Sequence, residues 1–175
     1  MEGYQIALTI LGVIVGIYII LVLLDLIFIL SFRTILNKHS RALAVFLQTK
    51  YDNIHRLIDI LNKYGKTLDF KYIKMLTDIN PKIFLTLDAP ECKVARDNLC
   101  FIRDELVYIV GQDELLSKHN EVKNGLNSIT EMDANYHILV ASYNADVIGY
   151  NYWVHFLPTR YIYKLLKTKN KQLIA

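Results

Sequence analysis

Between Gly3 and Leu24 the chain carries no charged side chain. No other feature of its 175 residues limits the fold so strongly. An apolar run of this length favours hydrocarbon over water, and in hydrocarbon a single segment satisfies its backbone polar groups as a helix. About 20 apolar residues cross a bilayer core, and Tyr4 to Leu24 supplies them. A cleaved signal peptide fits less well. No basic residue precedes the run, the run is too long, and no small-x-small site follows it. Residues 1–32 are therefore expected to form an uncleaved N-terminal membrane anchor.

The flanks of this run set its expected direction. Glu2 stands on one side, and Arg33, Lys38 and Arg41 stand on the other. The positive-inside rule then predicts a single-pass protein of the cell membrane, its N-terminus outside and its main domain cytoplasmic. Asp25 interrupts the apolar run. It is expected at the water interface rather than as an intramembrane functional carboxylate, since the residues before it already suffice to span. Gly12 and Gly16 form a GxxxG pattern, a helix-packing device that also arises by chance in apolar spans.

Far from the anchor runs a second periodic stretch. Val122, Leu126, Ile129, Asp133, Tyr136, Val140, Tyr143, Val147, Tyr150, Val154 and Leu157 alternate by four and three residues. That step keeps one stripe of a long helix facing a partner. Asp133 is the one charged position in it, and Pro158 ends it. A stripe this long requires partner helices from elsewhere in the chain.

Three segments qualify. From Arg33 to Tyr64, the residues Leu36, Leu43, Phe46, Leu47, Ile54, Ile58 and Leu61 share one face, and Gly65 is a candidate C-cap. This helix is expected to continue the anchor and to project about 45–50 Å from it at 1.5 Å per residue. Leu68 to Ile79 predicts a shorter helix, with Phe70, Ile73 and Leu76 inward, stopped at Asn80-Pro81. A third helix opens at Pro90-Glu91, with Ala95, Leu99, Ile102, Leu106 and Ile109 as its seam and Gly111 at its end. Asp113 is expected to cap the long fourth helix. Short connections favour antiparallel neighbours, so the expected fold is all-α. A transmembrane helix leads into an up-down four-helix bundle over 33–158 with coiled-coil-like seams. The fourth helix would return toward the membrane.

The remaining segment, 159–175, is basic and aromatic. Arg160, Lys164 and Lys167 are candidate contacts to an anionic membrane surface, interleaved with Tyr161, Tyr163 and Leu165. The other reading is a solvated C-terminus. Cys92 and Cys100 lie eight residues apart on a helical pattern, too far for a disulfide, and are expected to be buried or idle thiols.

The last helix contains Tyr143-Asn144 and, seven residues on, Tyr150-Asn151, with Pro158 seven beyond that. This repeat resembles the signature of the LemA family. Tyr51-Asp52-Asn53-Ile54 with Leu57 and Ile58 is similar to the family's Tyr-Asp-x-Ile-x-x-Leu run. The resemblance implies an anchored antiparallel helical bundle in a bacterial membrane, and it brings no catalytic residues. The chain departs from the pattern at His55, Arg56, Val140 and Arg160, so it reads as a divergent, short member.

Tyr136, Tyr143 and Tyr150, with Asn144 and Asn151, are expected to fill the seam and bond across helices, in preference to lining a groove for a peptide. No Gly-rich phosphate loop, nucleophile elbow, HExxH or paired CxxC occurs. Asp52 to His55, and Asp133 with His137, are only partial versions of a bundle metal motif. No cofactor is expected. A formal charge of +3, spread along helix faces, argues against nucleic-acid binding. The sequence thus predicts a non-enzymatic scaffold or adaptor whose partners are the bilayer and either another protein or itself. A regulatory or sensor subunit, holding a small ligand or metal inside the bundle beside Asp133, is the alternative.

Overall fold

The computed structural model describes residues 2–87, 89–155 and 170–174. All regular structure among them is helical: α1 (Glu2–Lys63), α2 (Phe70–Thr77), a 3-10 turn (Pro81–Leu85), α3 (Pro90–Gln112), α4 (Glu114–Lys118) and α5 (Asn120–His155). The chain divides into two compact units. One comprises Met1–Asn37 with Asn144–Leu173, and the other Lys38–Tyr143 with Ile174–Ala175.

Helix α1 joins the expected anchor and the expected first helix into one element. Between Gly16 and Gly65 no glycine or proline breaks it. It stops at Gly65, whose φ of 73° is left-handed. The Gly65 amide bonds Asn62 O and the Lys66 amide bonds Leu61 O, a Schellman ending that satisfies two otherwise orphaned carbonyls.

In the larger unit the core comes from three long helices. Leu43, Leu47, Ile54, Leu57 and Leu61 of α1 are buried, with Ala95, Leu99, Ile102 and Leu106 of α3 and Val122 and Ile129 of α5. Burying each large aliphatic side chain contributes about 1.5–3 kcal/mol. Phe84, from the 3-10 turn, is buried with its edge toward Tyr51, ring centroids 6.4 Å apart.

The intervening segments are shaped by local caps. Asp69 accepts from the Lys71 amide at the start of α2, and Asn80 from the Lys82 amide ahead of the 3-10 turn. Helix α2 is shorter than the pattern over 68–79 predicts. Leu76 is buried as expected, whereas Phe70 is 76% exposed, because it is the first residue of a helix whose opening turn points outward.

The start of the last helix also differs. Asp113 accepts from the amides of Leu115 and Leu116, but the helix it caps is the short α4. The long helix begins afresh at Asn120. Helix α3 runs one residue past Gly111, and Val110 is buried in it where Ile109 was the expected seam residue.

In the smaller unit, residues 3–24 of α1 expose apolar side chains on all sides. By length and composition, α1 is the one helix among the described residues able to cross a membrane. Asp25, expected at the water interface, is packed against protein. It is 4% exposed, and on the same helix Ile27 and Phe28 just beyond it are open. Ile29 and Leu36 of α1 are buried, as are Val147, Tyr150 and Val154 of α5. An added Cβ on Gly149 would sit 3.0 Å from the Phe32 ring, so the absent side chain is what lets that ring approach.

Candidate functional site

The most unusual chemistry in the larger unit is a partly buried ion cluster around Lys50. Lys50 interrupts a row of α1 residues spaced seven apart, Leu36, Leu43, Lys50 and Leu57, and is itself 4% exposed. Its ammonium lies 2.5 Å from Asp133 Oδ1 on α5. Arg103 of α3 donates to Asp133 Oδ2 and, through Nε at 2.9 Å, to Asp104 Oδ1. Asp133, the seam's single charge, is thus held by cations from two other helices.

Around this cluster lies a polar belt. Lys50 Nζ is 3.7 Å from Cys100 Sγ. Arg96 donates to the Tyr136 hydroxyl at 3.0 Å, and the Tyr136 ring lies 6.2 Å from that of Phe46. Burial pushes the Tyr136 phenol above its ordinary value, and Arg96 opposes that rise. Asn53 donates toward Ser128 Oγ at 3.3 Å and toward Met132 Sδ at 3.2 Å. At the far end of α1, Tyr64 meets His119 with ring centroids 4.4 Å apart.

Chemically, this is an ion cluster whose acceptor is engaged by protein groups. Both oxygens of Asp133 take charge-assisted bonds from Lys50 and Arg103. Among the described residues no three His, Cys, Asp or Glu side chains gather as metal ligands would. His55 packs edge-on against Tyr51, ring centroids 4.6 Å apart, and His137 is exposed. Outside the cluster, a groove of about 280 Å³ is lined by Ala44, Val45, Gln48 and Thr49 of α1 and by Pro81, Lys82, Phe84 and Leu85.

The family-like residues lie largely inside. Tyr143 and Tyr150 are buried, and Asn144 and Asn151 are half-buried. Burial raises the Tyr150 phenol, against the nearby Arg33 guanidinium. Asn151 has an identifiable task. Its amide donates to the Lys171 carbonyl at 2.9 Å and accepts from the Lys171 amide at 3.0 Å. His155 and Asn170 are 2.9 Å apart in the same unit. Pro158, Arg160, Lys164 and Lys167 lie outside the described residues, as does Leu157. Cys92 is buried and Cys100 exposed, so only the first matches a buried thiol.

Sequence reasoning marked Asp133 and overlooked Lys50 and Arg103. The available signal was Lys50 itself, a charge at the heptad position that Leu43 and Leu57 occupy on either side. Arg103, next to the seam residue Ile102, carried no such signal.

No protein-family model matches the chain. No curated protein matches it, and no solved structure does.

Proposed function

We propose that this protein is a single-pass, membrane-anchored helical scaffold or adaptor, non-enzymatic, with its bundle on the cytoplasmic side and another protein or a second copy as its partner. One observation carries the reading: the apolar side chains over residues 4–24 of α1 are exposed on every face. A helix apolar all round requires an apolar surrounding, and a bilayer is the one that its length matches. The basic residues Arg33, Lys38 and Arg41 beyond that segment support the orientation.

An antiparallel four-helix bundle is the architecture within this proposal. Its support is the order of pairings in the larger unit: Phe46 with Tyr136, Lys50 with Asp133, Asn53 with Ser128, and Tyr64 with His119. Residue numbers rise along α1 as they fall along the other partner. The kinship to the LemA family is likewise proposed, on the Tyr-Asn repeat of α5 and the Tyr51-Asp52-Asn53-Ile54 run of α1.

Cys100 provides the test, because it is exposed whereas Cys92 is buried. In intact cells a membrane-impermeant maleimide is expected to leave Cys100 unmodified and to label it once the membrane is opened. The protein is expected to stay in the pellet through alkaline extraction. Cross-linking in those membranes should then recover a reproducible protein partner or a second copy. Release by alkali overturns the anchor, labelling in intact cells overturns the orientation, and cross-links to neither overturn the scaffold.

A further inference from the structure

The smaller unit contains a crevice where α1 leaves its uncharged run. It has a volume of about 280 Å³ and is lined by Phe28, Ser31, Phe32 and Ile35 of α1 and Trp153 of α5. Phe28 and Trp153 stack nearly parallel, with centroids 5.1 Å apart and planes 7° apart. Phe32 is seated against Gly149. Four of the five lining residues are aromatic or aliphatic, and Ser31 contributes the one hydroxyl.

We infer that this crevice holds an acyl chain of a membrane glycerophospholipid, with Trp153 at the boundary between hydrocarbon and headgroups. The inference rests on the anchor reading above. At 1.5 Å per residue the 21 residues from Tyr4 to Leu24 cover about 30 Å, the thickness of the hydrocarbon core. Exposed apolar side chains continue past that length to Leu30, and the first basic residue is Arg33, so the interfacial level on this side falls between Phe28 and Arg33. Tryptophan concentrates at that level because its ring is apolar and its N–H wants a wet partner. Ile27, Phe28 and Leu30 are exposed on approach to that level. An open apolar crevice at this depth is filled by lipid at no desolvation cost. Sites for drug-sized molecules run roughly 300–1,000 Å³, so this one suits part of a single chain. Arg33 is exposed one residue past Phe32 and supplies a cation for the phosphate above it.

Trp153 is the only tryptophan in the chain, so its fluorescence reports this one place. The full-length protein is reconstituted into phosphatidylcholine–phosphatidylglycerol vesicles, with phosphatidylcholine brominated on the upper acyl chain as quencher. Flotation of the same samples scores membrane association separately. The expected result is strong quenching of Trp153 in floating protein. Ser31→Phe, which fills the crevice, should lose most of that quenching while still floating, and Ile35→Phe, one turn further along α1, should do the same. Floating protein with unquenched Trp153, as a second copy covering the crevice would give, overturns the inference and leaves the anchor standing. Quenching unchanged in both filled variants overturns it too, since Trp153 would then face bulk lipid rather than a bound chain. Protein that fails to float overturns the anchor and the crevice together.

Discussion

The ammonium of Lys50 on α1 lies 2.5 Å from a carboxylate oxygen of Asp133 on α5, and the two side chains are 5% and 13% exposed. At that depth the Lys50 ammonium depends on Asp133, whose other oxygen is also held by Arg103. Removing Asp133 strands Lys50, and breaking a buried pair in this way costs about 3–5 kcal/mol. Asp133→Ala is expected to lose stability on that scale, because it strips Lys50 and removes one of the two carboxylates that Arg103 contacts. Lys50→Met combined with Asp133→Leu removes both charges and should recover most of the loss. Chemical denaturation of the full-length protein in detergent micelles, followed by circular dichroism, measures both. A single variant as stable as the parent would show that the pair is not buried in the folded protein.

This cluster also marks how far the sequence could be read. The α5 stripe was legible because burial on one helix face imposes a period: Val122, Ile129, Tyr143, Val147, Tyr150 and Val154 are all buried. The row of α1 residues was legible for the same reason. Lys50 was not, because a lysine on a helix usually reaches water, and only its carboxylate partner 83 residues away makes its burial tolerable. The break between α4 and α5 was illegible too. Neither glycine nor proline stands at His119, so the helical pattern runs straight through it. Asp25 was read from span length alone, and length does not reveal what packs against a residue. The role of Asn151 as a clamp on Lys171 depends on two positions 20 residues apart and has no periodic trace.

Gly149 sets the approach of Phe32. A Cβ there would lie 3.0 Å from Phe32 Cε1 and 3.1 Å from Cζ, tighter than most packed contacts, so the ring would have to give by a few tenths of an ångström. Gly149→Ala gains helix propensity but must displace the ring, and overpacking of this kind costs about 1–3 kcal/mol. Because Phe32 and Trp153 line the same crevice, the displacement should also shift Trp153 emission. Phe32→Leu in the same chain should relieve both effects. Thermal unfolding and the emission maximum of the sole tryptophan check this, and an unshifted spectrum with unchanged stability would refute it.

Asn151 holds the backbone of Lys171 by two reciprocal hydrogen bonds. Each contributes about 0.5–1.5 kcal/mol, so Asn151→Ala should release this segment with little effect on the rest of the fold. Asn151→Asp keeps the acceptor for the Lys171 amide and loses the donor to its carbonyl, and should lie between the two. Hydrogen exchange at the Lys171 amide resolves the series: slowest in the parent, fastest in Asn151→Ala.

The cap of α4 should respond to acid. Lys66, at 2.9 Å, and then the Leu116 amide hold the Asp113 carboxyl below its ordinary value of 3.8. A carboxyl depressed by folding favours the folded state while it is ionised. Its contribution is therefore complete above the ordinary carboxylate range and disappears as the pH falls through the lowered folded value. The Leu115 and Leu116 amides, which donate to Asp113, should shift together in that acidic window. Asp113→Asn separates the causes. Asparagine still caps a helix, but it offers Lys66 no charge and cannot titrate, so α4 should persist while the acid transition vanishes. The two amide resonances, followed by NMR from neutral to acidic pH, decide the matter. A transition that survives in Asp113→Asn would assign it to another carboxylate.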